Sequence, residues 1–229
     1  MRFVQRNILD VVTPPRRAKT QMQTLTEEQV HQLLDVIEGD RFEALYILAL
    51  STGMREGELL GLRWKDINLE RASLQLQVSL QRSGNTYILA EPKTDHSRRR
   101  IGLARHAVEA LRRHRVRQNE ERLRLGAAWD DSFDLVFPNG IGRPIQPHII
   151  GQTQFHRHLE KAGLPQIRFH DLRHTVATLL LQRGINAKVV SEMLGHSNIS
   201  ITLGIYAHVT PHMQETAIMA IDLILSKGA

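Results

Sequence analysis

Residues 72–80 read ASLQLQVSL. Leu74, Leu76, Val78 and Leu80 alternate with Ser73, Gln75, Gln77 and Ser79, the period of two that a strand with one buried face requires. A turn at Ser83-Gly84-Asn85 and an apolar run from Thr86 to Ala90 supply a return strand, and Arg99 to Leu103 supplies a third. A polar loop, Pro92 to Ser97, joins the last two. These segments predict a small three-stranded antiparallel sheet.

Outward from the sheet, in both directions, the period becomes helical. Thr26 with Gln29 fits a capping box, and Val30, Leu33, Leu34 and Ile37 follow at helical spacing up to Gly39. Phe42 to Leu50 predicts a second helix closed at Gly53, and Arg55 to Leu62 a short third. Beyond the sheet, helices are expected over Arg105 to Leu125, with Gly126 as cap, over Pro147 to Ala162, and over His170 to Arg183, with Leu172, Val176, Leu179 and Leu180 inward. Ala187 to Leu194, Ile199 to Tyr206 and Pro211 to Ser226 complete the set. Leu135 to Phe137 and Gly140 to Pro144 read as a short extended piece and a turn. The fold class is α+β, mainly α, with one small sheet.

Composition bounds the function. The chain has 229 residues, 41% of them apolar, enough for a hydrophobic core in one large domain. Lys and Arg exceed Asp and Glu by 30 to 24, a formal charge of +6 that favours polyanionic partners. With no cysteine, a disulfide scaffold, a thiolate metal site and a cysteine nucleophile are excluded. No apolar run approaches the ~20 residues needed to cross a bilayer, so no membrane partner is expected and the cytoplasm is the expected compartment. Met1 to Thr20, with Pro14-Pro15 followed by Arg16, Arg17 and Lys19, reads as a basic linker, and 21–229 as the domain proper.

Four segments gather reactive polar residues, three of them with glycines: TGMREGELLGLRWKDI (52–67), EPKT (91–94), HDLRHTVATLLLQRG (170–184) and VVSEMLGHSNISITLGIYAHV (189–209). Attack on a phosphodiester builds negative charge on non-bridging oxygens. Arginines, planar and always charged, are the donors best suited to hold it. Arg55, Lys93, His170, Arg173, His196 and Tyr206 together offer cations, an acid or base and a nucleophile, with no metal or cofactor. His170 and Arg173 are three apart, so a helix presents them on one face. Each residue also has a plainer reading. Arg55 and Glu58 suit a surface ion pair, Lys93 a solvated loop and Tyr206 half-buried packing.

Taken in order, the four segments resemble the catalytic domain of the tyrosine recombinases, the phage-integrase family. The resemblance runs from about Thr24 to Val209. Arg55 matches the first family arginine, with Glu58 as its support. Lys93 matches the hairpin lysine, His170 and Arg173 the His-x-x-Arg motif, His196 the third-box position and Tyr206 the nucleophile. It implies site-specific cleavage and rejoining of double-stranded DNA through a 3′-phosphotyrosyl intermediate, as in the integrase of a phage or mobile element. The arginines and His196 would hold the non-bridging oxygens, Lys93 would protonate the departing 5′-oxygen, and His170 would serve Tyr206 as acid or base.

The same resemblance implies a preceding helical domain that closes a clamp on DNA, with the first twenty residues as its remnant and linker. It also implies a homo-tetramer on DNA for the full-length enzyme, with Pro211 to Ser226 docking on a neighbour; the isolated domain has room to be monomeric. Arg98, Arg99 and Arg100 are expected to join Lys93 in contacting DNA phosphates. The arginines of the helix after Arg105 read equally as DNA contacts or as a salt-bridged face. Rival readings are a type IB topoisomerase-like activity and a DNA-binding fragment without catalysis. A metal-dependent nuclease is the weakest. The His170/His174 spacing and the Asp130, Asp131 and Asp134 group suggest it, but an arginine shares the histidines' face and the aspartates fit a solvated turn.

Overall fold

In the computed structural model the described residues are 23–84, 86–91, 98–196, 198–205, 218–219 and 221. Helix α1 (Glu27–Ile37) begins at a reciprocal cap. The Thr26 hydroxyl accepts from Gln29 N at 3.3 Å, and Gln29 Oε1 accepts from Thr26 N at 2.9 Å. Helix α2 (Glu43–Thr52) is apolar nearly all round and lies between α4 (Arg105–Leu125) and α6 (Asp171–Gln182), with Leu45, Tyr46 and Leu48 fully buried. Helix α3 (Glu56–Leu60) follows directly. Beyond α6, helices α7 (Ala187–Leu194) and α8 (Ile199–Ile205) pack in series, with Ala177, Leu181, Val190 and Leu194 forming a small second core. Leu172 and Val176 of α6 are buried as expected, while Leu179 and Leu180 are only half-buried. Among the described residues no helix is long and apolar enough to cross a membrane.

The sheet departs from the expectation. There are two small antiparallel sheets instead of one. β1 (Ile67–Asn68), β2 (Ser73–Gln75) and β5 (Arg100–Gly102) form one in the order β1-β2-β5, with Leu74 opposite both Ile67 and Ile101. β3 (Ser79–Ser83) and β4 (Thr86–Ala90) form a separate hairpin, with Leu80 opposite Leu89. The segment read as one strand therefore breaks at Leu76 to Val78. Its second half leaves β5 to lie on α3, where Gly57 and Gly61 admit it. A Cβ on Gly57 would sit 2.7 Å from Leu80 O, and one on Gly61 2.6 Å from Leu80 N. Period-two burial continues through the break, since Leu74, Leu76 and Leu80 are all buried, and so the alternation alone hides it.

A second departure lies between Pro147 and Ala162. The expected helix starts as a π-helical turn, Ile149–Gln154, and becomes α5 only at Phe155–Lys161. The wider turn seats Gly151 against Glu56 and Phe169, where a Cβ would be 3.3 Å from Glu56 Oε1. The segments 1–20 and 206–217 lie outside the described residues; from 211–226, Ile218, Met219 and Ile221 are described, helical and exposed.

Candidate active site

The site begins at the end of α2. Gly53 caps that helix at φ +61, a conformation that only glycine adopts freely, and its missing side chain is filled by a neighbour. A Cβ there would be 2.4 Å from Leu194 Cδ2. The Gly53 carbonyl accepts from Arg173 Nη1 at 2.7 Å. The chain then turns into α3 with Arg55 at its N-cap. Glu58 Oε2 accepts from Arg55 N at 2.9 Å, and Glu58 Oε1 accepts from Arg55 Nη1 at 3.0 Å. Arg55 Nη2 donates to Gly195 O at 3.2 Å. Glu58 is thus far from the surface ion pair that spacing alone allows: its side chain is 8% exposed while that of Arg55 is 42% exposed. Burial would raise the Glu58 carboxyl, but hydrogen bonds from Arg99 and Arg55 outweigh it and hold the group below the usual carboxylate range.

His170, Arg173 and His174 come from the first turn of α6. Asp171 shapes that turn, with Oδ2 accepting from Arg168 N at 2.9 Å and Arg168 Nη2 donating to Oδ1 at 2.8 Å. Phe169 and Leu172 anchor it in the core. Arg173 is 3% exposed, so its guanidinium is held by protein on one side and directed by it. The His170 and His174 rings meet edge to face, 5.1 Å apart. Burial, then the Arg173 charge, lowers His170; burial, then His170, lowers His174 to about 4.

The third element is the turn after α7. Gly195 caps it at φ +70, and His196 follows with Nδ1 2.8 Å from Thr202 Oγ1. Thr202 is fully buried. Burial, then Arg173 and Arg55, pushes His196 down to about 4, so at neutral pH it is an uncharged imidazole. When Nδ1 accepts from the Thr202 hydroxyl, the proton stays on Nε2, the nitrogen free to donate to an oxyanion.

Arg55, His170, Arg173 and His196 therefore converge, from three segments distant in sequence, into one cationic cluster. Such a cluster can stabilise negative charge developing on phosphate oxygens while keeping its histidines neutral and ready to move protons. Lys93 and Tyr206 lie outside the described residues.

Of the three arginines expected on DNA, Arg98 and Arg100 are exposed, the first paired with Glu91 and the second donating to Ser73 Oγ at 3.2 Å. Arg99 differs. It turns inward, and its two terminal nitrogens bond the two oxygens of Glu58 at 3.2 and 3.1 Å. Neither that pairing, across 41 residues, nor the Thr202 contact was marked by a motif; the RxxE spacing of Arg55 and Glu58 was the only nearby signal.

The arginines of α4 are mostly engaged within the fold. Arg113 pairs with Glu43, Arg117 donates to the Gly39 and Asp40 carbonyls, Arg122 pairs with Asp131 and Arg115 stacks over Trp64. Asp130 holds Arg143, and Asp134 accepts from Lys65 N. Among the described residues no group of three His, Asp or Glu could hold a metal ion.

Comparison with known proteins assigns the chain to a family. The model of the phage integrase family matches residues 23–213, and the chain belongs to that family. It is 37% identical over 221 residues to a tyrosine recombinase XerC-like protein of Caldanaerobacter subterraneus subsp. tengcongensis, covering 92% of this chain and 56% of that one. It is 30% identical to the transposase of transposon Tn916 from Enterococcus faecalis, covering 91% of this chain and 52% of that protein. Among solved structures, the Tn1549 transposon integrase in complex with transposon right-end DNA superposes with a TM-score of 0.75 at 27% identity, covering 95% of this chain and 71% of the other. The chain spans between half and three-fifths of the length of these curated relatives.

Proposed function

We propose that this chain carries the catalytic portion of a site-specific DNA recombinase, the integrase of a phage or mobile element, and that it breaks and rejoins double-stranded DNA without a metal or cofactor. The observation that carries this reading is the cluster in which Arg55, Arg173 and a neutral His196 meet around the Gly53 and Gly195 turns. The DNA-bound Tn1549 relative supports DNA as substrate.

In this reading Arg55, Arg173 and His196 Nε2 hold the non-bridging oxygens of the scissile phosphate. The Tyr206 oxygen attacks phosphorus as its proton passes to His170. The bond to the 5′-oxygen breaks, and Lys93 protonates that oxygen. A free phenol titrates near about 10, so it needs such a base, and a neutral His170 can serve. The phosphotyrosine keeps the bond energy, and a partner strand's 5′-hydroxyl reverses the steps. Residues 21–229 form the catalytic unit, with 1–20 as its linker, and the full enzyme works as a homo-tetramer on DNA. Arg98 and Arg100 approach backbone phosphates.

The test is covalent trapping on nicked suicide duplexes with chelator present. We expect a slow protein–DNA band on a denaturing gel that Tyr206→Phe abolishes while DNA affinity changes less than about twofold. A band that persists in Tyr206→Phe, or that chelator removes, overturns the reading.

A further inference from the structure

The Arg99 guanidinium is nearly enclosed, with its side chain 11% exposed. It grips both oxygens of Glu58, the same two oxygens that hold Arg55 by its backbone N–H and by Nη1. It also lies flat on the turn that delivers His196. A Cβ on Gly195 would meet Arg99 Nη1 at 2.6 Å, Cζ at 2.8 Å and Nε at 3.0 Å. The same glycine's carbonyl accepts from Arg55. Two arginines are thus held together by one carboxylate, and the third-box turn rests on both. Arg99 itself is carried by the backbone just before β5, where its carbonyl accepts from Leu76 N at 3.0 Å.

We propose that Arg99 is a positioning residue for cleavage: it keeps Glu58 charged and immobile, and through it fixes the Arg55 guanidinium and the Gly195-His196 turn, without touching DNA. The proposal rests on the reading above. A bidentate guanidinium–carboxylate pair fixes both position and plane, which a single contact cannot. Without Arg99, Glu58 would have Arg55 as its one described cation, in a site where burial favours the neutral acid. A protonated Glu58 would accept more weakly from Arg55, and Arg55 would swing. Misplacement of this kind costs on the order of 10²-fold in rate.

The experiment uses the 229-residue chain, suicide-duplex cleavage under single turnover, and Arg99→Met, which keeps bulk and removes the fork. The expected result is a rate on the order of 10²-fold lower, DNA affinity within about twofold, and a new acid limb in the rate profile as Glu58 titrates. Arg99→Lys should recover part of the rate, since one ammonium keeps the charge without the second contact; it also serves if Arg99→Met fails to fold. A second readout needs no catalysis: the Glu58 carboxyl followed by carbon-13 NMR should titrate at least about one pH unit higher in the variant.

A variant with unchanged rate and profile overturns the proposal. So does a loss of affinity matching the loss of rate, which would make Arg99 a DNA contact. If the unmodified chain gives no Tyr206-dependent adduct, the functional reading fails, and the carboxyl titration alone then decides: an unmoved Glu58 removes the positioning role as well.

Discussion

Thr202 is buried six residues after His196 and holds its Nδ1. A neutral imidazole must choose which nitrogen carries its proton, and a hydroxyl that donates to Nδ1 leaves that proton on Nε2. Thr202→Val keeps the shape and removes the hydroxyl. Cleavage should fall about tenfold, the equivalent of one hydrogen bond of ~1.4 kcal/mol, with DNA affinity unchanged and Thr202→Ser near normal. Single-turnover rates beside a binding titration check this; equal rates would show that the hydroxyl does not matter. At this scale Arg55 and His196 were legible because each follows a glycine turn, and His170 and Arg173 because their spacing puts them on one helix face. Thr202 was not, because a threonine in an apolar helix carries no mark of the side chain it faces. The Arg99–Glu58 pairing was not legible either, because Arg99 stands in a run of three arginines. Only the partner across the fold distinguishes the one that turns inward.

Among elements, the contact of α3 with β3 sets the site's floor. Gly61 has φ −93, so alanine there meets no backbone strain, only the backbone of Ser79 and Leu80, with Ser79 C and Cα at 2.9 Å. Gly61→Ala should therefore destabilise the fold by about 1–3 kcal/mol through overpacking, read as a lower urea midpoint. It should also slow cleavage, because the helix that would shift carries Arg55 and Glu58. An unchanged midpoint would mean that the hairpin gives way freely. Helix bounds were legible from local chemistry: the Thr26–Gln29 cap and Gly53, Gly126 and Gly195 each ended or began an element where expected. The break at Leu76 to Val78 and the π-turn at Ile149–Gln154 were not. Both answer to a surface supplied by another segment, α3 in one case and the Glu56–Phe169 wall in the other.

For the whole molecule, buried histidines set the response to acid. Burial above all pushes His114 down to about 4, and His174 and His196 reach about 4 as well. An unfolded histidine binds its proton near about 6.5, so between those values the unfolded chain holds more protons. The histidines' contribution is therefore full above about pH 6.5 and drains as pH falls toward 4, with His114 alone worth on the order of 3 kcal/mol. Glu56 works in the opposite sense. Burial raises it to about 7, and its Oε1 is enclosed with no hydrogen-bond partner among the described residues. The stability of its neutral form is lost as pH rises through 7. Urea unfolding at about pH 4.5, 6 and 8 checks both. Glu56→Gln should stabilise the protein at the highest pH by about 1 kcal/mol, discounted for its partial exposure, and change little at the lowest. Arg55 is held by a carbonyl 140 residues downstream, and Arg173 by one 120 residues upstream. A nascent chain that has not yet released Gly195 from the ribosome cannot hold Arg55 in this way. The proposed cleavage would therefore switch on late in synthesis, after most of the chain has been made.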